Sequence, residues 1–299
     1  MTSPLTLRTA AMLTAAPLLW AGNAVVGRLV HDQISPFALN FIRWLVAFLV
    51  LVPWTLAVLR RESALWQHCR HYALLGLVGI GCYNALLYLA LQTSSPINVT
   101  LVGSSMPVWM LLIGRLCYGA RISGRQMLGA ALSVLGVAVV LSRGDLAQLL
   151  TLELVPGDLF VLLATILWSV YSWMLAKTQE PAALRSDWAG FLMAQLVFGV
   201  GWSALFSGAE YALGHAHTQW SWGLVAALVF IVIGPAILAY RFWGVGVSRA
   251  GPAIAGFFAN LIPLFTAILS TLVLAQSPHL YHVLAFALIV GGIVVSSRR

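Results

Sequence analysis

Long apolar runs separated by short polar gaps dominate the chain. A helix needs about 20 apolar residues to cross the hydrocarbon core of a bilayer. By that measure the runs predict ten membrane-spanning helices, at about 9–30, 36–59, 71–92, 95–117, 124–142, 156–176, 187–207, 221–247, 251–274 and 280–297. The gaps at 93–94, 248–250 and 275–279 are so short that the helices they join must be antiparallel neighbours. We therefore expect an all-α membrane protein.

The composition excludes one large soluble domain. Hydrophobic residues make up 61% of the chain and charged residues only 8%, whereas soluble domains average about 25% charged residues. The net charge is +8, but the basic residues lie between the apolar runs and not on one basic face. That distribution is typical of membrane topology signals, so we expect a lipid bilayer and no nucleic acid as partner. The first run extends to Val30, too long for a signal peptide, which predicts a retained first helix.

The basic residues also predict an orientation. If the N-terminus is cytoplasmic, thirteen of the sixteen Lys and Arg residues fall in cytoplasmic segments. Only Arg28 and Arg143 fall outside, and Arg43 lies within the second span. Because cytoplasmic loops of membrane proteins are enriched in Lys and Arg, we expect both termini to be cytoplasmic.

Cofactor chemistry has little support in the sequence. The three cysteines, Cys69, Cys82 and Cys117, are scattered without metal-ligand spacing and predict neither a metal site nor disulfides. There is no phosphate-binding loop, so direct ATP drive is not expected. We predict no cofactor.

The two halves of the chain resemble each other at an offset of 156 residues. The offset aligns Pro96 with Pro252, Pro107 with Pro263, Leu132 with Leu288 and Gly136 with Gly292. Earlier in each half, Leu19-Trp20 matches Leu167-Trp168. Chance matching of Leu and Val is the alternative, but two blocks in the same order favour a repeat. We predict two five-helix repeats, 9–142 and 156–297.

An odd number of helices per repeat has a topological consequence. The second copy must enter the membrane from the opposite side, which gives an inverted repeat of the kind found in secondary transporters. The substrate site of such proteins lies near the midplane, so we expect a central cavity between the repeats. Pro107 and Pro263 interrupt spans four and nine, and we predict that they act as hinges beside that cavity.

Aromatic and neutral polar residues inside the spans are the candidates for lining the cavity. Such walls suit small, partly apolar, neutral or zwitterionic solutes. For any single Trp or Tyr, helix packing or an interfacial belt is the alternative. The predicted substrate-binding residues are Trp20, Asn23, Tyr83, Asn84, Tyr88, Ser104, Ser105, Trp109, Trp168, Tyr171, Tyr240, Trp243 and Asn260.

The charged residues suggest how transport is driven. The sequence predicts no Asp or Glu inside a span, and intramembrane acids are the usual proton relays of coupled transporters. We therefore expect facilitated transport without carboxylate-based ion coupling. Arg43 lies within span two; snorkelling or bonding to carbonyls is one interpretation and binding of a substrate carboxylate the other.

The segment LLWAGNAVVGRLVHDQISPFALNFIRWLVAFLVLVPW (18–54) carries a family signature. Through Trp20, Asn23, Ser35-Pro36 and Arg43-Trp44 it resembles the opening of the EamA-type drug/metabolite transporters. The later stretches MPVWMLL and QMLGAALSVLGVAVV resemble the end of one such domain, and 251–297 that of a second. The resemblance implies ten helices, cytoplasmic termini and a cavity lined by spans 1, 3, 4, 6, 8 and 9. The chain departs from the family where Gly-Glu is frequent, with Gly119-Ala120 and Ala275-Gln276 instead.

Within that family the chain looks most similar to amino-acid exporters of the bacterial inner membrane, including the aromatic type. Exporters of nucleosides or drug-like metabolites are the alternative in the same fold. An intramembrane serine enzyme using Ser104 or Ser105 would need a base at membrane depth, and the sequence places none there. A channel is disfavoured by the inverted halves and the lack of a charged filter ring. The sequence leaves the oligomeric state open.

Overall fold

The computed structural model describes residues 5–94, 99, 102–151, 155–177, 187–273 and 280–297. The α-helices, in chain order, are α1 (Leu7–Leu29), α2 (Pro36–Leu59), α3 (Ala64–Gln67), α4 (Cys69–Leu75), α5 (Tyr83–Thr93), α6 (Met106–Tyr118), α7 (Gly124–Leu141), α8 (Pro156–Ala176), α9 (Trp188–Ala212), α10 (Trp222–Ile231), α11 (Ala239–Ala250), α12 (Pro252–Ala259), α13 (Leu261–Val273) and α14 (Leu280–Ser297). Two π-helical segments, Gly76–Cys82 and Val232–Leu238, join α4 to α5 and α10 to α11. A short 3₁₀ helix covers Leu146–Thr151.

Most of these helices are suited to a bilayer. In the described residues eight helical runs are long and apolar enough to cross a membrane, and Met106–Tyr118 is a shorter apolar helix. Large side chains such as Trp54 and Trp222 remain 74% and 89% exposed, as expected of surfaces that face lipid or its interface. The predicted all-helical membrane architecture is confirmed. The count of ten spans stays a prediction, because residues 95–98 and 100–101, at the start of the fourth, lie outside the described residues.

Local sequence chemistry explains where several helices begin. Pro36 and Pro156 open α2 and α8, where the missing N–H of proline costs no helical hydrogen bond. Ser123 forms a capping box with Gln126 at the start of α7. Gly251 has φ of 86°, a conformation that favours glycine, and makes the tight turn between α11 and α12.

Spans four and nine are broken helices. The chain turns at Ser104-Ser105 before α6, and again at Asn260 between α12 and α13. Pro107 and Pro263 fall in the first turns of α6 and α13. The sequence predicts that spans four and nine are interrupted at these prolines; the structure places each break just before the proline, which starts a new half-helix where its missing N–H is harmless. Their role as hinges stays a prediction.

Several structural features recur at the offset of 156 residues found in the sequence. The π-helical segment Gly76–Cys82 maps onto Val232–Leu238, and α7 (Gly124–Leu141) maps onto α14 (Leu280–Ser297). These coincidences are independent of the residue identities used to find the repeat. The two five-helix repeats and their inversion remain predictions, which this shared register supports.

Helices from the two halves interlock. The first helix of one half, α1, packs on α11 and α13 of the other, and α8 packs on α5 and α6 in the reciprocal way. The helix α2 packs on α9, and α7 on α14. The last pair approaches closely because Gly129 and Gly292 face each other: a Cβ on either would lie 2.6 Å from the other's carbonyl oxygen. Small residues of this kind allow membrane helices to approach each other closely.

The prediction that no acid lies inside a span was wrong for two residues near helix ends. Asp158 lies in the first turn of α8 and accepts hydrogen bonds from the Val155 N–H and the Ser94 hydroxyl. Glu210 lies in the last turn of α9, which extends beyond the predicted end at 207. Its carboxylate accepts from the Ser35 hydroxyl (2.6 Å) and the Ala38 N–H (3.1 Å), and so caps α2. Both acids bind donors at helix N-termini, which favour negative charge.

Candidate functional site

Six of the predicted cavity residues meet in one group inside the bundle. This aromatic cluster consists of Trp20, Tyr83, Trp168, Tyr171, Tyr240 and Trp243. It combines side chains from α1, α5, α8 and α11, and therefore from both halves of the chain. Four spans thus place their aromatic residues at a single site.

Trp168 is the centre of the aromatic cluster. Its ring centroid lies 4.6 Å from Tyr83, 4.9 Å from Tyr171 and 5.2 Å from Trp20. Tyr240 and Trp243 follow at 5.5 and 5.8 Å. These separations lie in the range at which aromatic pairs attract each other. Trp168 is only 2% exposed, so the centre of this cluster lies in the interior of the protein.

The polar tips of the aromatic cluster bond to the protein. The Tyr240 hydroxyl donates to the Gly79 carbonyl at 2.5 Å, and the Trp20 indole N–H donates to the Pro235 carbonyl at 3.2 Å. Both acceptors lie in π-helical segments, at positions 156 residues apart. A π turn breaks the regular hydrogen-bond ladder, and such turns are frequent at functional sites. The two segments therefore present matched carbonyls to the cluster.

Further hydrogen bonds orient the remaining rings. The Tyr171 hydroxyl donates to Gln195 Oε1 at 2.8 Å, and the Trp243 indole N–H donates to Ser172 Oγ at 3.1 Å. The Asn84 side chain lies close enough to interact with the Tyr240 hydroxyl, and the two residues stand 156 positions apart in the chain. Asn84 therefore borders the aromatic cluster, and its role in substrate binding stays a prediction.

Other predicted site residues lie apart from the aromatic cluster or carry unused polar atoms. The Ser105 hydroxyl donates to the Val102 carbonyl and accepts from the Trp109 indole N–H. The side chains of Ser105 and Trp109 line an apolar cleft of about 660 Å³ against α8. Asn23 Oδ1 and Asn260 Nδ2 are buried without a hydrogen-bond partner among the described residues. Ser104 is 3% exposed at its helix break. The side chain of Tyr88 lies outside the described part of the chain.

Sequence reasoning missed the contribution of α2 to the site. The Trp44 ring lies 4.8 Å from that of Tyr240, and its indole donates to Asn40 Oδ1. Asn40 Nδ2 donates in turn to the Ile80 carbonyl and to Ser203. The spacing of Asn40 and Trp44, one turn apart on one helix face, was the available signal. In the described residues no group of three His, Cys, Asp or Glu side chains is arranged to hold a metal ion.

Comparison with known proteins gives several relatives. An uncharacterized transporter of Archaeoglobus fulgidus is 25% identical over 98% of both chains. The aromatic amino acid exporter YddG of Ancylobacter novellus is 26% identical over 81% of this chain and 78% of its own. YyaM of Bacillus subtilis, an uncharacterized transporter, is 24% identical over 79% of this chain and 76% of its own.

Two further comparisons concern the fold and the family. A crystal structure at 22% identity superposes with a TM-score of 0.72 and covers 96% of this chain and 95% of the other, which shows the fold alone. The sequence profile of the EamA-like transporter family matches twice, at residues 7–142 and 155–298. Together the two matches span nearly the whole sequence. The chain therefore belongs to the EamA-like transporter family.

Proposed function

We propose that this protein exports amino acids, aromatic and other neutral ones among them, across a bacterial inner membrane. The observation that carries the proposal is the aromatic cluster, which four helices from both halves assemble around Trp168. A group of aromatic rings inside the bundle suits the side chain of an aromatic amino acid. Two relatives named as amino-acid exporters, one for aromatic and one for terminal-alkyne amino acids, support this substrate class.

Transport proceeds by alternating access in this proposal. The two halves interlock through reciprocal contacts of α1 and α8, so a relative rocking of these pairs changes which side of the aromatic cluster opens. The breaks at Ser104-Ser105 and Asn260 supply places where backbone angles can change within a span. The distribution of Lys and Arg residues favours cytoplasmic termini.

The proposed mechanism is facilitated. The two buried acids, Asp158 and Glu210, are each engaged with donors at a helix N-terminus. Neither carboxylate lies at the aromatic cluster, whose described members are aromatic and neutral. Export then follows the substrate gradient without a carboxylate proton relay. Nucleosides or drug-like metabolites are the second candidate, since aromatic bases stack on the same kind of surface.

Efflux from proteoliposomes tests the proposal. Vesicles containing the purified protein are loaded with labelled phenylalanine, tryptophan, leucine, a nucleoside or a cationic dye, with and without a protonophore. We expect amino-acid efflux that the protonophore leaves unchanged. Efflux of nucleoside or dye alone would contradict the amino-acid assignment, and loss of uphill transport with protonophore would contradict the facilitated mechanism.

A matched pair of variants connects efflux to the aromatic cluster. Trp168→Phe keeps a ring but breaks the fit with five neighbours, and we expect about tenfold slower efflux, equivalent to about 1.4 kcal/mol. Trp222→Phe is the control, because Trp222 is 89% exposed. Equal rates in both variants would place the substrate path elsewhere.

A further inference from the structure

Arg43 is a buried cation with unused hydrogen-bond donors. The residue is 1% exposed, although it lies within the membrane-spanning helix α2. Its Nε and Nη1 atoms have no acceptor among the described residues. Such burial excludes snorkelling to the membrane surface, the first interpretation offered by the sequence. A charged group in this state has lost its hydration without gaining hydrogen-bond acceptors at these two atoms. An anionic partner would supply those acceptors and stabilise the charge.

The guanidinium group of Arg43 borders the aromatic cluster. Its central carbon lies 4.7 Å from the centre of the Trp44 ring, and Trp44 contacts Tyr240 edge-on at 4.8 Å. A solute lying against Tyr240 is therefore within the electrostatic reach of Arg43.

The surroundings hold this region of α2 in place. Trp44 donates to Asn40, and Asn40 donates to the Ile80 carbonyl at 3.4 Å and to Ser203 at 3.3 Å. These bonds fix the ring on which the guanidinium stacks. The buried acids Asp158 and Glu210 are occupied at the N-termini of α8 and α2 by Val155 and Ala38. Neither Asp158 nor Glu210 therefore neutralises the charge of the Arg43 guanidinium.

We propose that Arg43 binds the carboxylate of the transported solute, while the aromatic cluster holds its apolar part. Guanidinium groups pair with carboxylates through two parallel hydrogen bonds, which a neutral donor cannot reproduce. The substrate class is then an apolar or aromatic carboxylate, with the amino group secondary. This inference rests on the proposed function only in taking the aromatic cluster as the transport site.

Three probes that differ in charged groups test this assignment. Phenylalanine carries a carboxylate and an amine, phenylpyruvate lacks the amine, and phenethylamine lacks the carboxylate. Binding to the full-length protein in nanodiscs is measured by calorimetry. We expect both acids to bind and phenethylamine to bind at least about tenfold more weakly, since a lost charge-assisted pair is worth that factor or more. Phenethylamine binding as tightly as phenylalanine would overturn the proposal.

Variants of two arginines complete the test. Arg43→Gln should weaken binding of both acids about tenfold or more, and Arg43→Lys should restore part of the preference for acids. Arg241→Gln is a matched control, because Arg241 also stacks on an indole, Trp188 at 4.5 Å, but lies on an exposed position. We expect this control to bind all three probes like the wild type.

Stability separates a binding role from a structural one. Removing an unpaired buried charge should leave the melting temperature of ligand-free Arg43→Gln unchanged or raise it, while phenylalanine should stabilise only the wild type and the lysine variant. A marked fall in the melting temperature without ligand would assign Arg43 a structural role and overturn the proposal. Failure of amino-acid efflux with intact, Arg43-dependent phenylpyruvate binding would reject the proposed function alone.

Discussion

The two π-helical segments occupy equivalent positions in the two halves, yet they are built differently. Gly76–Cys82 contains three glycines, at 76, 79 and 81, whereas Val232–Leu238 contains Pro235. Both present a carbonyl to the aromatic cluster, Gly79 to Tyr240 and Pro235 to Trp20. The same backbone shape therefore arises from two different local causes, which indicates that the position of the carbonyl matters more than the residue that carries it.

The cause in the first half is close packing. A Cβ added at Gly76 would lie 2.7 Å from the Gly199 backbone nitrogen, and one at Gly79 would lie 2.5 Å from the Tyr171 ring. In the second half, Pro235 has no N–H to donate within the helix, so the regular ladder cannot continue there. A Cβ at Gly234 would meet only side-chain atoms, the nearest at 3.3 Å. Gly76 in the first segment is therefore enclosed by backbone atoms, whereas Gly234 in the second meets only side chains.

The largest expected effect comes from adding a methyl group to the enclosed segment. Gly76→Ala should lower stability by up to about 3 kcal/mol, because the clash is with backbone atoms that cannot rotate away. Gly234→Ala should change stability by no more than about 0.5 kcal/mol, since Leu19 can adjust. Thermal unfolding in nanodiscs measures both, with Gly201→Ala as control because nothing lies within 4 Å of that position. Equal losses at 76 and 234 would remove the contrast between the segments.

An intermediate effect on stability is expected from removing the Tyr240 hydroxyl, which bonds to the π-helical segment Gly76–Cys82. Tyr240→Phe leaves the buried Gly79 carbonyl without the phenol donor, which should cost about 1–3 kcal/mol of stability. The Pro235 carbonyl accepts a hydrogen bond from the indole N–H of Trp20, which is half-buried, so water can replace this donor more readily. The measurement is thermal unfolding together with the efflux rate. Tyr211→Phe, at a position 79% exposed, is the control, and a Tyr240→Phe protein as stable as that control would contradict the expectation.

The smallest effects are expected at the two helix breaks, with opposite signs. Ser105→Ala removes the bonds to Val102 and Trp109 and should cost about 1 kcal/mol. Asn260→Leu removes an amide whose Nδ2 has no partner among the described residues, and should be neutral or slightly stabilising. Differential scanning fluorimetry of both variants gives the sign directly. Destabilisation by Asn260→Leu would indicate that the amide contributes to the break.

Much of the site was accessible from the sequence because its residues are unusual for their surroundings. Trp168, Tyr83 and Tyr240 stand out as large aromatic residues within apolar spans, and the structure brings them together. Asn84 and Tyr240 stand 156 residues apart and are thus equivalent positions, but that the two side chains interact follows only from the tertiary structure. The capping role of Glu210 was missed, because it depends on the start of α2 reaching the end of α9, a contact distant along the chain.

The sequence by itself determined that this chain is a helical membrane protein with a repeated register, since hydrophobic run length and residue spacing are local properties. Only the tertiary structure decided which side chains share a site and which are satisfied elsewhere. It placed the half-helix breaks before Pro107 and Pro263, created the two π-helical segments, and left Arg43 buried beside Trp44. Those outcomes depend on helices that are distant in sequence and on the cost of unpaired polar groups between them, which no local pattern records.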